Sequence, residues 1–303
     1  VCMKTLNIIV NNNCNARCTF CNIWKNKQLE FISPSKIAEF LSKDINRYVR
    51  EISITGGEPT LHPKFTDIIK TVINIQSVET VYLTTNGSSL KKVSQAIDAF
   101  ANTGKKFNIL VSIDGAPEKN DRLRGKGAYL KAIKILDYVH EMSPLTGIGI
   151  STTLSAETEV KDFNFILDLV AEKDVYFTFR IAESSVYYKN SDTDPFAFSI
   201  SDKLKALVID YLKGNHKNAY FYALLNYLEH NENILIKDGV LNCCAGEKFA
   251  TIKSSGEIVP CIHASKPLGF IDDIQPKYTR QIMNKCPCFT ECTIWPNINY
   301  GAG

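Results

Sequence analysis

The chain has 303 residues, 45% hydrophobic and 22% charged, with a net charge of +3; this is ordinary globular composition, with length for one large domain and a small one. Basic residues are scattered, and pairs such as Lys91-Lys92 and Lys105-Lys106 read as solvated faces, so nucleic acid is not an expected partner. No apolar run approaches the roughly 18 residues of a membrane span and no signal peptide precedes Leu6, so a cytoplasmic protein without a membrane partner is expected.

Leu6–Val10, apolar and rich in β-branched residues, is the first expected strand. A loop with Cys14, Cys18 and Cys21 follows. Ser33-Pro34 reads as an N-cap and a first-turn proline. Beyond it Ile37, Phe40, Leu41, Ile45 and Tyr48 recur at helical spacing. Glu51–Thr55 alternates as a strand does, and Gly56-Gly57-Glu58-Pro59 turns away from it. Pro63 opens a helix whose apolar face is Phe65, Ile68, Ile69, Val72 and Ile73. Val78–Thr84 is a strand ended by Asn86-Gly87, and Leu90, Val93, Ile97 and Phe100 mark the next helix. Phe107–Asp114 is a strand ended at Gly115, and Leu130, Ile133, Leu136 and Val139 mark a further helix. Ile148–Leu154, the helical stripe Val160, Phe163, Ile166, Leu167 and Val170, and the strand Val175–Ala182 complete the series.

Six strand–helix repeats imply a parallel sheet with helical crossovers. Six strands are too few for a closed eight-stranded barrel, so the expected fold is α/β, a partial (β/α)6 TIM-like barrel over about residues 4–182. Chemistry in such folds gathers at the C-terminal ends of the strands. The Cys loop, Gly56–Pro59, Asn86-Gly87 and Asp114-Gly115 all fall there. Residues 183–240 form an aromatic-rich connecting segment with helices expected near Leu204–Tyr211 and Phe221–Leu228. Most of its aromatics are expected in the core, while the segment can cover the open side of the barrel. Residues 241–303 are expected to form a small Cys-rich domain, opened by a hairpin of Phe249–Lys253 and Ile258–Cys261.

Ten cysteines in a reducing compartment favour metal ligation or catalysis over disulfides. Apart from Cys2 they form two groups, Cys14–Cys21 and Cys243–Cys292. The first has C-x3-C-x2-C spacing. Three thiolates can wrap one soft metal centre but leave a four-ligand site one short, and a [4Fe–4S] cluster normally takes four cysteines. A structural zinc site would show paired C-x2-C knuckles with a fourth Cys or His, yet no histidine follows until His62. A disulfide would strand the third thiol.

This loop, placed after a first strand and followed by a glycine pair after the second, resembles the cluster loop of the radical S-adenosylmethionine (SAM) superfamily. The resemblance implies a [4Fe–4S] cluster on Cys14, Cys18 and Cys21 with SAM on the open iron, and reductive cleavage of SAM to a 5′-deoxyadenosyl radical. Gly56, Gly57 and Glu58 resemble the family's GGE motif, which receives the SAM amino group; glycines also let backbone approach closely. Asn86, Ser112 and Asp114 match positions near the SAM ribose, with turn capping as the alternative for each. Arg124-Gly125 resembles a stretch seen in relatives, without a derivable role. Phe20 either shields the cluster or packs the loop.

In the second group, Cys244-Ala245-Gly246, the hairpin before Cys261 and Leu268–Ile271 resemble the start of a SPASM or twitch domain. This implies an auxiliary [4Fe–4S] cluster on Cys244, Cys261, Cys288 and Cys292, with Cys286 as a close substitute. A structural zinc, with His263 able to serve it, is the alternative. Cys243 and Cys286 are candidate hydrogen-atom donors, against the reading of buried inert thiols.

The expected activity is hydrogen abstraction from an unactivated carbon of a sugar or aminocyclitol-like small molecule, giving oxidation or epimerisation, with a flavodoxin- or ferredoxin-type electron donor. The alternative is a maturase that epimerises or cross-links a ribosomal peptide. Only thirteen residues precede Cys14, and no leader-binding domain is expected there. A rival of another class is a non-catalytic iron–sulfur or zinc-binding protein. Arg180 and Glu183, at the end of the sixth strand, either face substrate or form an ion pair.

Overall fold

Alternation along the strands decides the architecture. The computed structural model describes residues 2–142, 146–183, 185, 187–190, 200–215, 217–230, 236–237, 240–241, 243–264 and 266–273. Strands β1 (Thr5–Ile9), β2 (Glu51–Thr55), β3 (Thr80–Thr85), β4 (Lys106–Ser112), β5 (Thr146–Leu154) and β6 (Tyr176–Ile181) run parallel in that spatial order. Helices connect them: α1 (Pro34–Ser42), α2 (Phe65–Ile73), α3 (Leu90–Phe100), α4 (Pro117–Arg124), α5 (Ala128–Met142) and α6 (Val160–Lys173). This is the partial barrel expected of the sequence.

A parallel sheet covered on both faces reads as near-continuous apolar runs. Here the strands alternate instead. Register partners Leu6, Ile52, Val81 and Phe107 form one layer, fully buried against the helices. The next layer is Asn7, Ser53, Tyr82, Asn108 and Gly147, polar or small and open to varying degrees. One face of the sheet is therefore core and the other is the wall of a lumen.

Three local expectations are corrected. Helix α1 stops at Ser42, short of Tyr48, because buried Asn46 donates its Nδ2 to Phe40 O at 2.7 Å and a 3-10 turn, Asp44–Asn46, follows. In α5 the stripe is rotated: Leu130 is 65% exposed, while Ala132, Ile135, Leu136 and Val139 are buried. The close approach of Gly87 to Ala132 sets that face, since a Cβ on Gly87 would stand 2.8 Å from Ala132 Cα. Helix α4 was not expected. Its sequence, PEKNDRLR, has a single large apolar residue and gives no periodic signal.

After β6, α7 (Asp202–Asn215) and α8 (Ala219–His230) pack against the sheet through an aromatic cluster of Phe163, Phe179, Tyr211 and Phe221, with ring centroids 5.2–6.0 Å apart. A two-residue pair follows, β7 (Ile236–Lys237) with β8 (Val240–Leu241). The hairpin expected to open a separate domain is continuous with the barrel sheet. Its strand β9 (Phe249–Ile252) pairs in parallel with β1, from Thr5↔Phe249 to Ile8↔Ile252. Strands β10 (Glu257–Val259) and β11 (Gly269–Phe270) then add antiparallel, giving a nine-stranded sheet. Among the described residues no helix is long and apolar enough to cross a membrane.

Candidate active site

The loop after β1 and the turn after β2 are joined by backbone. Val10 N–H donates to Thr55 O at 2.8 Å, Gly57 N–H to Asn11 O at 2.9 Å and Glu58 N–H to Asn13 O at 2.7 Å. Buried Asn11 adds Nδ2 to Glu58 O at 2.9 Å and accepts Asn13 N–H at 2.9 Å. This proximity explains the glycine pair. A Cβ on Gly56 would lie 2.6 Å from Asn11 O, and one on Gly57 would overlap Asn13 O and sit 3.0 Å from Cys14 Cβ. The glycines are small because the cysteine loop lies on them.

Glu58 is 1% exposed. Its Oε1 accepts Thr60 N–H at 3.0 Å, Thr60 Oγ1 at 2.6 Å and Thr85 Oγ1 at 2.7 Å, and its Oε2 accepts Asn86 N–H at 2.7 Å. Burial pushes the carboxyl above its ordinary range, and these four donors oppose the shift. The carboxylate thus ties the turn after β2 to the end of β3. Asn86 stands beside the cysteine loop, with Nδ2 2.9 Å from Asn15 Oδ1 and 4.0 Å from Cys14 Sγ.

Asp114 is fully buried and committed to neighbours. It accepts Arg124 Nε at 2.5 Å, Arg124 Nη2 at 3.0 Å and Thr153 N–H at 2.8 Å. Arg124 Nη1 stands 3.9 Å from Cys18 Sγ, and the guanidinium lies 5.5 Å from the Phe20 ring centroid. The end of α4 also holds the loop by backbone: Arg17 N–H donates to Arg124 O at 2.8 Å and Thr19 N–H to Leu123 O at 3.0 Å. Ser112, half-buried at the end of β4, is the register partner of Ser151. Arg124 is the site residue whose role the sequence left open. The one available signal was an arginine ten residues beyond an aspartate that ends a strand.

The turn 187–190 covers the loop from the β6 side, a contact the sequence did not specify. Asn22 N–H donates to Tyr188 O at 2.8 Å, Asn190 Nδ2 to Phe20 O at 2.8 Å, and Tyr187 Oη to Gly56 O at 3.3 Å. Arg180 donates to Tyr188 Oη and to Thr153 Oγ1. Glu183 Oε1 lies 3.3 Å from Nε2 of His263, in the segment after Cys261, a contact that is an ion pair only when the imidazole is protonated.

Burial pushes the Cys14 thiol up to about 12 and raises those of Cys18 and Cys21, while Arg124 pulls down Cys18, and Arg180 and Arg124 pull down Cys21. Among the described residues no three His, Cys, Asp or Glu side chains converge on a single metal ion. In the second group Cys243, Cys244 and Cys261 are buried. Cys286, Cys288 and Cys292 lie outside the described residues.

A family model described as the radical SAM superfamily matches residues 8–165, from within β1 to within α6, including every residue of the loop. This chain belongs to the radical SAM superfamily. Among curated relatives, the GTP 3′,8-cyclase of Aquifex aeolicus is 32% identical over 136 residues, 42% of this chain and 41% of that protein. The GTP 3′,8-cyclase of Yersinia pestis is 27% identical over 185 residues, 57% of this chain and 53% of that protein. The chain thus spans about half the length of the first curated relatives, although the GTP 3′,8-cyclase of Staphylococcus aureus is matched over 87% of this chain and 79% of its own at 24% identity. Among solved structures, Streptococcus suis SuiB bound to S-adenosylmethionine superposes with a TM-score of 0.68 at 17% identity, covering 92% of this chain and 66% of SuiB. The structure of anSMEcpe with AdoMet and the Cp18Cys peptide gives 0.64 at 20% identity, covering 90% and 79%. At these identities the solved structures establish the shared fold alone.

The family implies a [4Fe–4S] cluster and SAM, and the residues present fit them. Three thiols share one loop held by backbone bonds to the glycine turn and to the end of α4, and Arg124, with Nη1 3.9 Å from Cys18 Sγ, stands where it can offset the charge of ligated sulfur.

Proposed function

We propose that this radical SAM enzyme abstracts a hydrogen atom from an unactivated carbon of a small hydroxylated molecule, sugar- or aminocyclitol-like, and oxidises or epimerises it. The observation that supports the radical chemistry is the backbone zip between Val10–Asn13 and Thr55–Glu58, which holds the three-cysteine loop against the glycine turn at the C-terminal ends of β1 and β2. Cys14, Cys18 and Cys21 hold the cluster. When bound, the cluster and SAM supply the 5′-deoxyadenosyl radical. Arg124 donates toward Cys18 and Asn86 toward Cys14, hydrogen bonds that tune ligated sulfur. Gly56 and Gly57 bring the turn against the loop, with Gly56 O the acceptor offered to the SAM amino group. Glu58 orients that turn, and Asp114 acts through Arg124. Ser112 and Asn86 remain candidates for the ribose.

The auxiliary [4Fe–4S] cluster is proposed on Cys244, Cys261, Cys288 and Cys292, with Cys243 or Cys286 as hydrogen-atom donor. Oxidation would use such a cluster as electron acceptor, and epimerisation would use the donor thiol. A flavodoxin- or ferredoxin-type protein is proposed as reductant.

A peptide substrate is the second reading. It is favoured by the fold likeness to SuiB, which was also solved with its precursor peptide SuiA, over 92% of this chain.

The test is iron content and 5′-deoxyadenosine formation after anaerobic reconstitution with SAM and reductant. At one cluster per four irons, about eight irons are expected, falling to about four in the Cys14→Ala/Cys18→Ala/Cys21→Ala variant. Absence of 5′-deoxyadenosine from reconstituted wild type would return the chain to the non-catalytic class.

A further inference from the structure

Each cysteine of the loop has hydrogen bonds on both sides, and each pair of bonds comes from a different part of the fold. Around Cys14, Asn13 O accepts Glu58 N–H at 2.7 Å and Asn15 Oδ1 accepts Asn86 Nδ2 at 2.9 Å, from the ends of β2 and β3. Around Cys18, Arg17 N–H and Thr19 N–H donate to Arg124 O and Leu123 O, at the end of α4. Around Cys21, Asn22 N–H donates to Tyr188 O and Phe20 O accepts Asn190 Nδ2, both at 2.8 Å. This third grip comes from beyond β6, and it hinges on a side chain. Asn190 Nδ2 donates to Glu183 O as well, at 3.1 Å, and Asn190 Oδ1 accepts Ser185 N–H at 2.9 Å. Arg180 ties the same turn to β6 by donating to Tyr188 Oη. Lys189 stands in the turn at φ +53°, in the left-handed region, which a lysine keeps only where its neighbours hold it. Its O accepts Asn22 Nδ2 at 3.0 Å. The turn also reaches the other half of the site, with Tyr187 Oη 3.3 Å from Gly56 O.

We propose that Asn190 is a positioning residue for the third thiol: its amide holds the turn 187–190 on the loop and so keeps Cys21 in register with the glycine turn at Gly56. The assignment rests on the reading that Cys14, Cys18 and Cys21 hold the cluster. Groups that bond to the surroundings of a metal ligand orient it without touching the metal. Cys18 is gripped through peptide groups, which no side-chain substitution removes. Cys21 depends on Asn190. Without that amide Phe20 O loses its donor, and the turn that carries Tyr188 O loses its bonds to Glu183 O and Ser185 N–H. Both bonds around Cys21 therefore weaken together, and so does the contact of the same turn with Gly56. A carboxamide suits the position because it donates twice and accepts once here. An aspartate of the same shape still accepts Ser185 N–H, but it faces Phe20 O and Glu183 O with no donor.

The test follows the full chain, reconstituted and reduced without oxygen, by electron paramagnetic resonance. The loop cluster is recognised as the signal that added SAM alters. Asn190→Ala is expected to lose that signal to a chelator about tenfold faster than wild type, and to need about tenfold more SAM for half of the spectral change, the usual scale when a ligand loses its supporting bond. Asn190→Asp is expected to behave as Asn190→Ala does, and it takes the place of the alanine variant should that one not fold. Thr103→Ala is the control. It removes a hydroxyl that donates to Phe100 O at 2.8 Å, in the loop that leads into β4 at the opposite end of the barrel. It is expected to match wild type in both readouts. An Asn190 variant that matches Thr103→Ala in either readout overturns the assignment and leaves the cluster reading standing. Wild type that takes up iron yet gives no SAM-responsive signal overturns both.

Discussion

Arg124 holds Asp114 in a two-pronged ion pair, Nε to Oδ2 at 2.5 Å and Nη2 to Oδ1 at 3.0 Å, and has its third nitrogen 3.9 Å from Cys18 Sγ. The pair is buried on both sides. Removing one partner leaves a buried charge uncompensated, at a cost of about 3–5 kcal/mol. Arg124→Ala is expected to lose that much in urea unfolding of the unreconstituted protein. Arg124→Lys keeps the charge but not the fork, so it is expected to retain more stability while still retaining less iron on gel filtration after reconstitution.

Gly57→Ala forces the cysteine loop away from the turn, because its new Cβ meets the Asn13 carbonyl, which no rotamer change can move. Iron uptake is expected to fall. Gly214→Ala is the control: nothing lies within 4 Å of a Cβ there. In helix α7 that change is expected to be neutral or stabilising by up to about 1 kcal/mol, with iron uptake unchanged.

His62 is a pH-dependent element away from the thiols. Its Nδ1 accepts Lys64 N–H at 3.0 Å and its Nε2 lies 3.0 Å from Ile32 O, so the neutral ring with a proton on Nε2 satisfies both partners. Burial, with Lys92 and Lys64 nearby, pushes the imidazole below its ordinary 6.5. The folded state therefore disfavours the proton, while the unfolded chain takes it at about 6.5. Stability is fully present above that value and is lost as pH falls from it toward the folded-state value. The slope is at most about 1.4 kcal/mol per pH unit. Urea unfolding at about pH 7.5 and about pH 5.5 should give a smaller difference in His62→Gln than in wild type, and an equal difference would contradict the assignment.

The second cysteine group has its own test. Cys244→Ser/Cys261→Ser is expected to reduce reconstituted iron from about eight to about four per chain, leaving 5′-deoxyadenosine formation intact. Stoichiometric zinc in wild type, with iron unaltered by the substitutions, would assign these thiols to a structural ion.

The strands were legible in the sequence because each carries its own alternation: Ile52 and Ile54 face the core within EISIT whatever the rest of the chain does. Helix α4 was not legible, because Asn120, Lys119 and Arg124 hold it through polar contacts to Asp114 and Asp162, and such contacts leave no hydrophobic period. The three loop cysteines were marked by spacing. Their surroundings were not, since Arg124 and Tyr187 come from far along the chain and only the fold brings them to the loop. The glycine pair was read as room for a ligand, but in the structure the first thing it makes room for is Asn11 and Asn13. The hairpin at Phe249 was recognised from its own pattern, whereas its partner strand β1 was beyond any local signal.

That pairing governs how the molecule is built. β1 is synthesised long before β9, yet it lies inside the sheet, and its second edge waits for Phe249–Ile252. Closing so long a stretch of chain carries an entropic penalty and slows folding relative to local contacts. Until β9 arrives, the strand that leads into the cysteine loop has one bare edge, open to pairing with another chain. Nascent molecules are thus most prone to aggregation during the interval when the barrel is otherwise complete, and an early release of the chain before Phe249 would make that interval permanent.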